Sequence, residues 1–263
     1  MVRFASHRGD MSGDLRIYGH RGQSATHPEN TVPALREAAR LGAHGVEFDV
    51  QPTADGSIVL MHDRSPMRTT NLRDVQRSKV GVSVQRFTLA ELARLDAGSW
   101  KSPTFAGTPV PTLRDVVKAF RDTDVRFAVE LKPAPVDPRA YVRAVLDELG
   151  GRADVTLMSF DRSLAEAALP VHPLVGLVSR RQPSAEDVGR FDEFHVNARR
   201  VDERLVERVH RAGGTVTAWT VDDLRQIERL RAMGVDAVTT NDVAAALPSR
   251  DLLPIRPSNP IER

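Results

Sequence analysis

The sequence predicts an α/β protein with the TIM-type (β/α)8 barrel fold, extended by an extra β-hairpin strand and a small insertion. Short β-branched runs alternate with amphipathic helical stretches along the chain, which is typical of parallel strands joined by crossover helices. The chain has 263 residues, close to the roughly 250 that such a barrel takes. The strand count also reaches eight once one hairpin strand is set aside.

The apolar runs predict nine strands, at residues 15–20, 45–51, 58–62, 126–131, 155–160, 174–178, 193–196, 215–221 and 235–239. Helices are expected where an apolar stripe recurs at helical spacing and a stop signal follows. They are predicted at about residues 30–41, 88–95, 139–149, from 161 or 163 onward, 202–212 and 222–233, with a short last helix ending near 247.

The third predicted strand belongs to a hairpin. Its link from the second strand is Pro-Thr-Ala-Asp-Gly-Ser, much shorter than the dozen or so residues that a parallel crossover needs. Asp55–Gly56 is a two-residue turn signal. A turn centred there predicts that Asp49 lies opposite His62, and we expect the hairpin to hold that histidine against that carboxylate. The other eight strands then run parallel.

Residues 63–110 form a segment that is too long for an ordinary loop. It contains one predicted helix, which Thr88 and Glu91 open as a capping box. We interpret the segment as an insertion packed over the barrel mouth. Its Trp100 and Phe105 either line a substrate pocket or pack the insertion itself. The barrel is assigned to residues 15–247, between an N-terminal tail (1–14) and a Pro-rich C-terminal tail (248–263).

The composition narrows the class of protein. The formal net charge is only +2 and Cys is absent, so a nucleic-acid partner is not expected and disulfide or thiolate chemistry is excluded. No apolar run approaches the roughly 18 residues of a membrane span, and the first residues lack the apolar region of a signal peptide. We expect a cytoplasmic protein without stable membrane anchoring, and its oligomeric state stays open.

Two pairs of charged residues lie within predicted strands. Glu47 and Asp49 are two residues apart, as are Glu130 and Lys132 at the end of an apolar run, so each pair shares one face of its strand. Barrel strands are covered on both faces, so unpaired charges there would be costly. The alternatives are a solvated edge strand for the first pair and a structural ion pair for the second.

Three carboxylates, Glu47, Asp49 and Glu130, are therefore expected to converge at one end of the barrel. Like charges repel there unless a carboxyl keeps its proton or a cation lies between them. Oxygen ligands without a Cys or His cluster favour a hard ion. We predict one bound divalent cation, and both Mg²⁺ and Ca²⁺ remain open.

Two histidines follow strands at the same end. His20-Arg21-Gly22 ends the first strand, and His62-Asp63 ends the hairpin. Histidine titrates near neutral pH, and arginine can bind a phosphate through two parallel hydrogen bonds. Two histidines beside a metal ion and a phosphate suit general acid and base roles. Each could instead be a structural residue, as we expect for the other histidines, of which His195 is the least certain because it lies in a strand.

These motifs occur in the order seen in the glycerophosphodiester phosphodiesterase family, which the chain resembles over residues 17–241. The matching segments are Gly-His-Arg-Gly (19–22), Pro-Glu-Asn-Thr (28–31), Gly-Val-Glu-Phe-Asp-Val (45–50), Thr-Ala-Asp-Gly (53–56), His-Asp (62–63), Thr-Thr (69–70), Leu-Asp-Ala-Gly-Ser-Trp (95–100), Pro-Thr-Leu (111–113), Glu-Leu-Lys (130–132), Trp-Thr-Val (219–221), Gly-Val-Asp (234–236) and Thr-Asn (240–241). The departures, Gln51-Pro52 and His27, remove no charged motif residue.

The resemblance implies hydrolysis of glycerophosphodiesters to sn-glycerol 3-phosphate and an alcohol. It also implies a role for each matching residue: acid and base for His20 and His62, metal ligands for Glu47, Asp49 and Glu130, phosphate contacts for Arg21 and Lys132, and a wall of the glycerol or leaving-group pocket for Trp219. The order in which the histidines act, and whether a cyclic phosphate forms, stay open.

Two other functions are compatible with parts of the pattern. A lysophospholipase D or phosphoinositide-type lyase would need an apolar entrance for acyl chains, which Trp100 and Phe105 leave open. A non-enzymatic phosphate-binding barrel would have no reason to place three acids within strands. Hydrolysis of a small glycerophosphodiester is therefore the function that the sequence favours.

Overall fold

The structure, a computed structural model, describes residues 15–247. Its nine strands are β1 (Arg16–His20), β2 (Gly45–Pro52), β3 (Ile58–Leu60), β4 (Arg126–Leu131), β5 (Val155–Ser159), β6 (Val175–Ser179), β7 (Glu193–Asn197), β8 (Thr215–Trp219) and β9 (Ala237–Thr240). The two predicted tails, 1–14 and 248–263, lie outside the described residues.

Eight of these strands close into a parallel barrel. They are paired in the order β1-β9-β8-β7-β6-β5-β4-β2, and β1 also pairs with β2. Each pairing around this ring is parallel. The predicted TIM-type (β/α)8 barrel is therefore confirmed. Because parallel strands in a ring end at one rim, residues at their carboxyl ends share one barrel mouth.

The extra strand, β3, runs antiparallel to β2 outside the ring, as the short link between them predicts. The predicted register is wrong by one residue. Val50 pairs with Leu60, and the amide of Met61 donates to the carbonyl of Asp49 at 3.1 Å. Met61, not His62, is therefore the residue opposite Asp49.

A three-residue loop explains this shift. The amide of Thr53 donates to the carbonyl of Ser57 at 2.8 Å, and the amide of Gly56 donates to the carbonyl of Thr53 at 3.1 Å. Gly56 has a φ of +81°, the left-handed conformation that follows a type I turn in three-residue hairpin loops. The sequence prediction assumed a two-residue turn, which would have placed His62 opposite Asp49.

Ten α-helices lie within the described residues. They are α1 (Val32–Arg40), α2 (Leu72–Val75), α3 (Leu89–Leu92), α4 (Leu113–Ala119), α5 (Pro138–Leu149), α6 (Arg162–Ala168), α7 (Ala185–Val188), α8 (Glu203–Arg211), α9 (Leu224–Ala232) and α10 (Val243–Ala246). Short 3-10 helices span Arg77–Lys79, Val84–Arg86, Pro103–Phe105 and Ala198–Arg200.

The sequence analysis missed α2, α4 and α7. These helices have four, seven and four residues, too few to show a clear 3.6-residue stripe. A capping box opens both α4 and α7, with Thr112 and Ser184 as the N-caps. Asp at the third helical position takes the place of the more familiar Glu or Gln, which made the signal easy to overlook.

Each strand of the barrel has one face toward the helices and the other toward the inside of the barrel. Val46, Phe48 and Val50 belong to the large apolar core that also contains the buried faces of the helices. Because side chains alternate along a strand, the intervening Glu47 and Asp49 face the inside of the barrel. Alternation on β2 therefore directs two carboxylates into the lumen while the same strand contributes to the hydrophobic core.

The insertion, residues 63–110, has a small apolar core of its own with β3, which includes Val59, Leu72 and Phe87. The indole N–H of Trp100 donates to the carbonyl of Ala97 at 2.9 Å. Phe105 packs against His27, with the ring centroids 4.9 Å apart. These are packing contacts, in line with the second of the two alternatives for these aromatic residues.

The helices are short relative to the thickness of a bilayer. Across residues 15–247, none combines the length and the apolar character that crossing a membrane would require. The longest is α5, with 12 residues.

Candidate active site

Three buried carboxylates, Glu47, Asp49 and Glu130, form a cluster inside the barrel mouth. Asp49 of β2 pairs in register with Glu130 of β4, and Glu47 lies two residues before Asp49. Their exposed fractions are only 3, 1 and 7%. One oxygen from each of them lies within 4.8 Å of the other two. The structure therefore brings together the carboxylates that the sequence predicted as metal ligands.

Asp49 is the most heavily contacted member of this carboxylate cluster. Its oxygens lie 3.2 Å from Nε of Arg21 and 3.1 Å from Nζ of Lys132. The side-chain amide of Asn30 donates to it at 2.8 Å. Burial opposes its ionisation, but the charges of Lys132 and Arg21 outweigh burial and hold the pKa of Asp49 below its ordinary value. Asp49 is thus ionised at neutral pH.

The pKa values of Glu47 and Glu130 change in the opposite direction. Burial, followed by repulsion from Asp49 and Glu130, raises the pKa of Glu47 well above its ordinary value. Burial and the charge of Asp49 raise the pKa of Glu130 to about 7, although Lys132 opposes this change. Burial and mutual repulsion thus favour the protonated forms of Glu47 and Glu130, and a further cation would relieve the repulsion between their ionised forms.

Lys132 forms the ion pair that the sequence analysis left open as a structural alternative. Its Nζ lies 2.6 Å from Glu130. The same ammonium group also reaches Asp49 at 3.1 Å, so the lysine contacts two of the three clustered carboxylates. It is an integral part of the polar site and not an isolated structural pair.

A strained turn after β1 directs Arg21 into the site. Arg21 has a φ of +56°, which a non-glycine residue adopts at a cost and mostly where the surroundings enforce it. Its backbone amide donates to Glu47 at 3.0 Å. Gly22 has a φ of +87°, and a Cβ there would lie 2.4 Å from the backbone of Ala34. Close packing of α1, and not of a ligand, therefore requires this glycine.

His20 lies at the end of β1, beside Glu47 in register. Its Nδ1 is 2.7 Å from the side-chain oxygen of Asn241, while Nε2 is 4.0 Å from Glu47. Burial and the neighbouring charge of Arg21 lower the pKa of His20 to about 4, although the contact with Asn241 opposes the change. The imidazole is therefore neutral at neutral pH, with Nε2 on the side of the carboxylates.

His62 follows β3, and its position depends on a chain of ion pairs. Its Nδ1 lies 2.7 Å from Asp63. Arg68 donates to Asp63 at 2.6 Å and, through two nitrogens, to Glu29 at 2.7 and 2.8 Å. Glu29 in turn accepts a hydrogen bond from Arg21 at 2.7 Å. This ionic chain connects the second histidine to the turn that carries Arg21.

Comparison with known proteins identifies the family. The family model described as Glycerophosphoryl diester phosphodiesterase family matches residues 20–245 of this chain. The chain belongs to this family. The resemblance inferred from the sequence motifs, and with it the prediction of a phosphodiesterase enzyme, is therefore confirmed.

Several members of the family are similar over almost their full length. YhdW of Bacillus subtilis is 34% identical, over 86% of this chain and 94% of its own. Glycerophosphodiester phosphodiesterase of Caldanaerobacter subterraneus subsp. tengcongensis is 32% identical, over 86% and 93%. A solved structure of an Oleispira antarctica phosphodiesterase, in complex with the product sn-glycerol-3-phosphate, aligns with a TM-score of 0.80 at 28% identity, over 88% of this chain and 94% of that one.

Trp219 is the last residue of β8 and so lies at another part of the barrel mouth. Its indole N–H donates to the backbone carbonyl of His195 at 2.9 Å, and its ring meets Phe160 edge-on at 5.3 Å. These two contacts fix the orientation of the indole at the rim. The ring of His195 is buried in a separate pair, 3.5 Å from Glu193, in line with the structural role expected for it.

Four supporting residues were not singled out in the sequence analysis. They hold predicted site residues in place: Glu29, Asn30, Arg68 and Asn241. Asn30 has a φ of +55° and also accepts a hydrogen bond from the amide of Asp49 at 3.1 Å. All but Arg68 lie in segments that matched the family motifs, Pro-Glu-Asn-Thr and Thr-Asn. The available signal was a polar residue in such a segment, shortly before a helix for Glu29 and Asn30 and directly after a strand for Asn241.

Proposed function

We propose that this protein hydrolyses glycerophosphodiesters to sn-glycerol 3-phosphate and an alcohol, with the help of one divalent cation. The observation that carries the proposal is the cluster of Glu47, Asp49 and Glu130, with oxygens within 4.8 Å of one another. Three carboxylates buried this close together repel one another, and a bound cation would relieve that repulsion. Family membership and the product-bound structure of the Oleispira relative support the same reaction.

The donor set of the cluster fits a hard cation. Oxygen ligands lie about 2.0–2.6 Å from Mg²⁺ or Ca²⁺, so two ligands of one ion can be at most about 4–5 Å apart. The observed limit of 4.8 Å agrees with one ion shared by Glu47, Asp49 and Glu130. When bound, such an ion supplies Lewis-acid chemistry, since it polarises phosphate oxygens and lowers the pKa of a hydroxyl that it coordinates.

Arg21 and Lys132 would stabilise the substrate phosphate. Both already contact the same carboxylate, Asp49, so their positive charges are held at the edge of the cluster before substrate arrives. Cationic groups fixed in this way lower the energy of a transition state without reorganising during the reaction. The guanidinium of Arg21 can also form charge-assisted hydrogen bonds with phosphate oxygens, in addition to its contacts with Glu29 and Asp49.

His20 and His62 would transfer protons on the two sides of the phosphate. Each places Nδ1 against an oxygen acceptor, Asn241 for one and Asp63 for the other. This leaves Nε2 of each ring for the substrate. One imidazole would remove the proton of the nucleophile, which is either a water molecule or a glycerol hydroxyl whose cyclic phosphate product water then opens, and the other would protonate the departing alkoxide.

Trp219 would form an apolar wall against the glycerol or the alcohol of the substrate. The indole is only partly buried and keeps its N–H occupied by the carbonyl of His195. Its face is therefore the part available for contact with the carbon atoms of a bound alcohol.

An assay of glycerol 3-phosphate release tests this function. Release would be coupled to a dehydrogenase for several glycerophosphodiesters. Glycerophosphocholine would be compared with its lysolipid by the release of choline, because hydrolysis of the lysolipid yields an acylated glycerol phosphate and no free glycerol 3-phosphate. We expect rapid turnover of the small diesters and much slower turnover of the lysolipid. Equal or faster hydrolysis of the lysolipid would favour a lysophospholipase D, and no release from any diester would refute the proposal. The Asp49→Asn variant controls for contaminating enzymes.

A further inference from the structure

A second polar site lies beside the barrel mouth, in the part formed by β6 and β7. An exposed groove of about 580 Å³ is lined by four arginines, with Gln182 and Asp202 between them. We call it the arginine groove, and its arginines are Arg181, Arg199, Arg200 and Arg229. The volume is in the range of sites that bind small molecules.

The loops of the arginine groove are held in place by hydrogen bonds. Ser179, the last residue of β6, accepts from the amide of Arg181 at 3.1 Å and donates to its carbonyl at 2.7 Å. The side chain of Gln182 donates to the carbonyl of Arg200 at 2.9 Å and to Asp202 at 3.0 Å. The two loops are thus fastened to each other, and the cationic side chains project from a defined backbone.

No acidic side chain within residues 15–247 forms an ion pair with any of these four guanidinium groups. Other surface arginines do have such partners, for example Arg162 with Glu166 and Arg211 with Glu207. The carboxylate of Asp202 accepts from Gln182 and from the amide of Leu205 at the start of α8. Four like charges side by side repel one another, so an anion would be attracted to them.

Contacts between side chains connect this region with the proposed substrate pocket. The guanidinium of Arg180, next to the arginine groove, lies over the ring of Phe160, 5.2 Å from its centroid. Phe160 in turn meets Trp219 edge-on at 5.3 Å. Trp219 also pairs in register with Asn197, two residues before Arg199. A ligand that contacts Trp219 can therefore extend over the rim toward the arginines.

We propose that the arginine groove binds a second phosphate, carried by the alcohol portion of the diester substrate. This inference rests on the proposed function, because it assumes that the diester phosphate is bound at the carboxylate cluster. Arginine binds phosphate monoesters through parallel charge-assisted hydrogen bonds. The preferred substrate would then be a glycerophosphodiester whose leaving alcohol is itself phosphorylated.

Two substrates that differ by one phosphate test this proposal. Glycerophosphoglycerol would be compared with the same compound phosphorylated on its terminal hydroxyl. We expect kcat/KM to be at least about tenfold higher for the phosphorylated diester, a typical gain from electrostatic attraction. The preference should disappear between about 0.01 M and about 1 M salt, where the Debye length falls from about 30 Å to about 3 Å.

The variants separate the groove from general charge effects. Arg181→Gln/Arg200→Gln should bring the ratio of the two kcat/KM values close to one. Arg121→Gln/Arg143→Gln removes two exposed arginines elsewhere on the surface and should leave the ratio as in the parent protein. A ratio that stays high in the first double variant, or a parent protein without any preference, would overturn the proposal.

Other outcomes identify which proposal has failed. If neither substrate releases glycerol 3-phosphate, the proposed function itself is wrong. If both are hydrolysed equally, the function stands and the groove does not bind a substrate phosphate. Sedimentation with anionic phospholipid vesicles provides a further check. Vesicle binding that requires Arg181 and Arg200, without a substrate preference, would show that the arginines face a membrane and would overturn the inference.

Discussion

The two sides of the barrel mouth use charge in different ways. On the side of β1, β2 and β4, the carboxylate cluster is almost completely buried, and it is in contact with the two cations Arg21 and Lys132. On the side of β6 and β7, the four groove arginines are exposed and have no acidic partner within residues 15–247. Buried, interlocked charges suit chemistry that needs fixed geometry, whereas exposed, unpaired charges suit recognition of a variable part of the substrate.

The largest expected loss of turnover follows from replacing the two histidines near the carboxylate cluster. His20→Ala and His62→Ala should each lower turnover by about 10²- to 10⁴-fold, because each removes one proton-transfer group. Binding of the metal ion should survive in both variants. Steady-state release of glycerol 3-phosphate measures the loss, and His210→Ala, which alters an exposed histidine paired with Asp236, is the control. Near-normal turnover in both site variants would remove the histidines from the mechanism.

The ionic chain behind His62 should give the next largest effect. Arg68→Gln breaks the contacts with Asp63 and Glu29, so we expect kcat to fall by about 10- to 100-fold, as for outer groups that orient catalytic ligands. KM should change less than kcat, since Arg68 acts through other residues. Kinetics with one small diester would measure both parameters.

Two further variants distinguish positioning from simple loss of stability. Arg68→Lys keeps the charge but loses the planar fork, so partial recovery of kcat is expected. Arg64→Gln changes an exposed arginine of the same insertion and should behave like the parent protein. An Arg68→Gln variant with a normal kcat would show that the chain of ion pairs does not orient His62.

The free energy of unfolding compares the carboxylate side of the barrel mouth with the arginine side directly. Asn30→Ala removes two hydrogen bonds to buried Asp49 and should lower the free energy of unfolding by about 1–3 kcal/mol. Asn30 also has a φ of +55°, and alanine adds a cost of about 1–2 kcal/mol in that conformation. Asn30→Gly loses the side chain without this backbone cost, so urea unfolding of both variants separates the two contributions.

The exposed side provides the matching control. Arg181→Gln/Arg200→Gln should change the free energy of unfolding by no more than about 0.5 kcal/mol, as is usual for exposed positions without partners. If the arginine variant lost as much stability as Asn30→Gly, the distinction between a buried, interlocked side and an unpaired, exposed side would be wrong.

The sequence was sufficient to predict the barrel, and the reasons are local. Alternating strand and helix patterns identified the eight parallel strands, and the short link after β2 identified the hairpin. The register of that hairpin was beyond the prediction because it depends on the left-handed conformation of Gly56, and Asp-Gly is compatible with loops of two or three residues. The short helices α4 and α7 lacked a sufficient apolar stripe.

Some residues of the candidate site could likewise be predicted from the sequence, and others could not. Glu47, Asp49 and Glu130 were predictable because strand alternation places them on one face of adjacent strands. Arg68 was not, because its partner Glu29 is 39 residues away in the sequence and no periodic pattern connects the two. The arginine groove was missed for a related reason. It combines Arg181 after β6, the Arg199-Arg200 pair after β7 and Arg229 of α9, which only the fold brings together.

Binding of a divalent cation to the carboxylate cluster is the most direct test of the account. Protein freed of metal by chelation would be titrated calorimetrically with Mg²⁺ and Ca²⁺, in parallel with the Glu130→Gln variant. Glu148→Gln, a glutamate outside the cluster that contacts the amide of Ile58, serves as the control. We predict one bound ion in the parent and control proteins, at least about tenfold weaker binding in Glu130→Gln, and activity that returns when the ion is restored. Full turnover after thorough chelation, with no binding of either ion, would contradict the account.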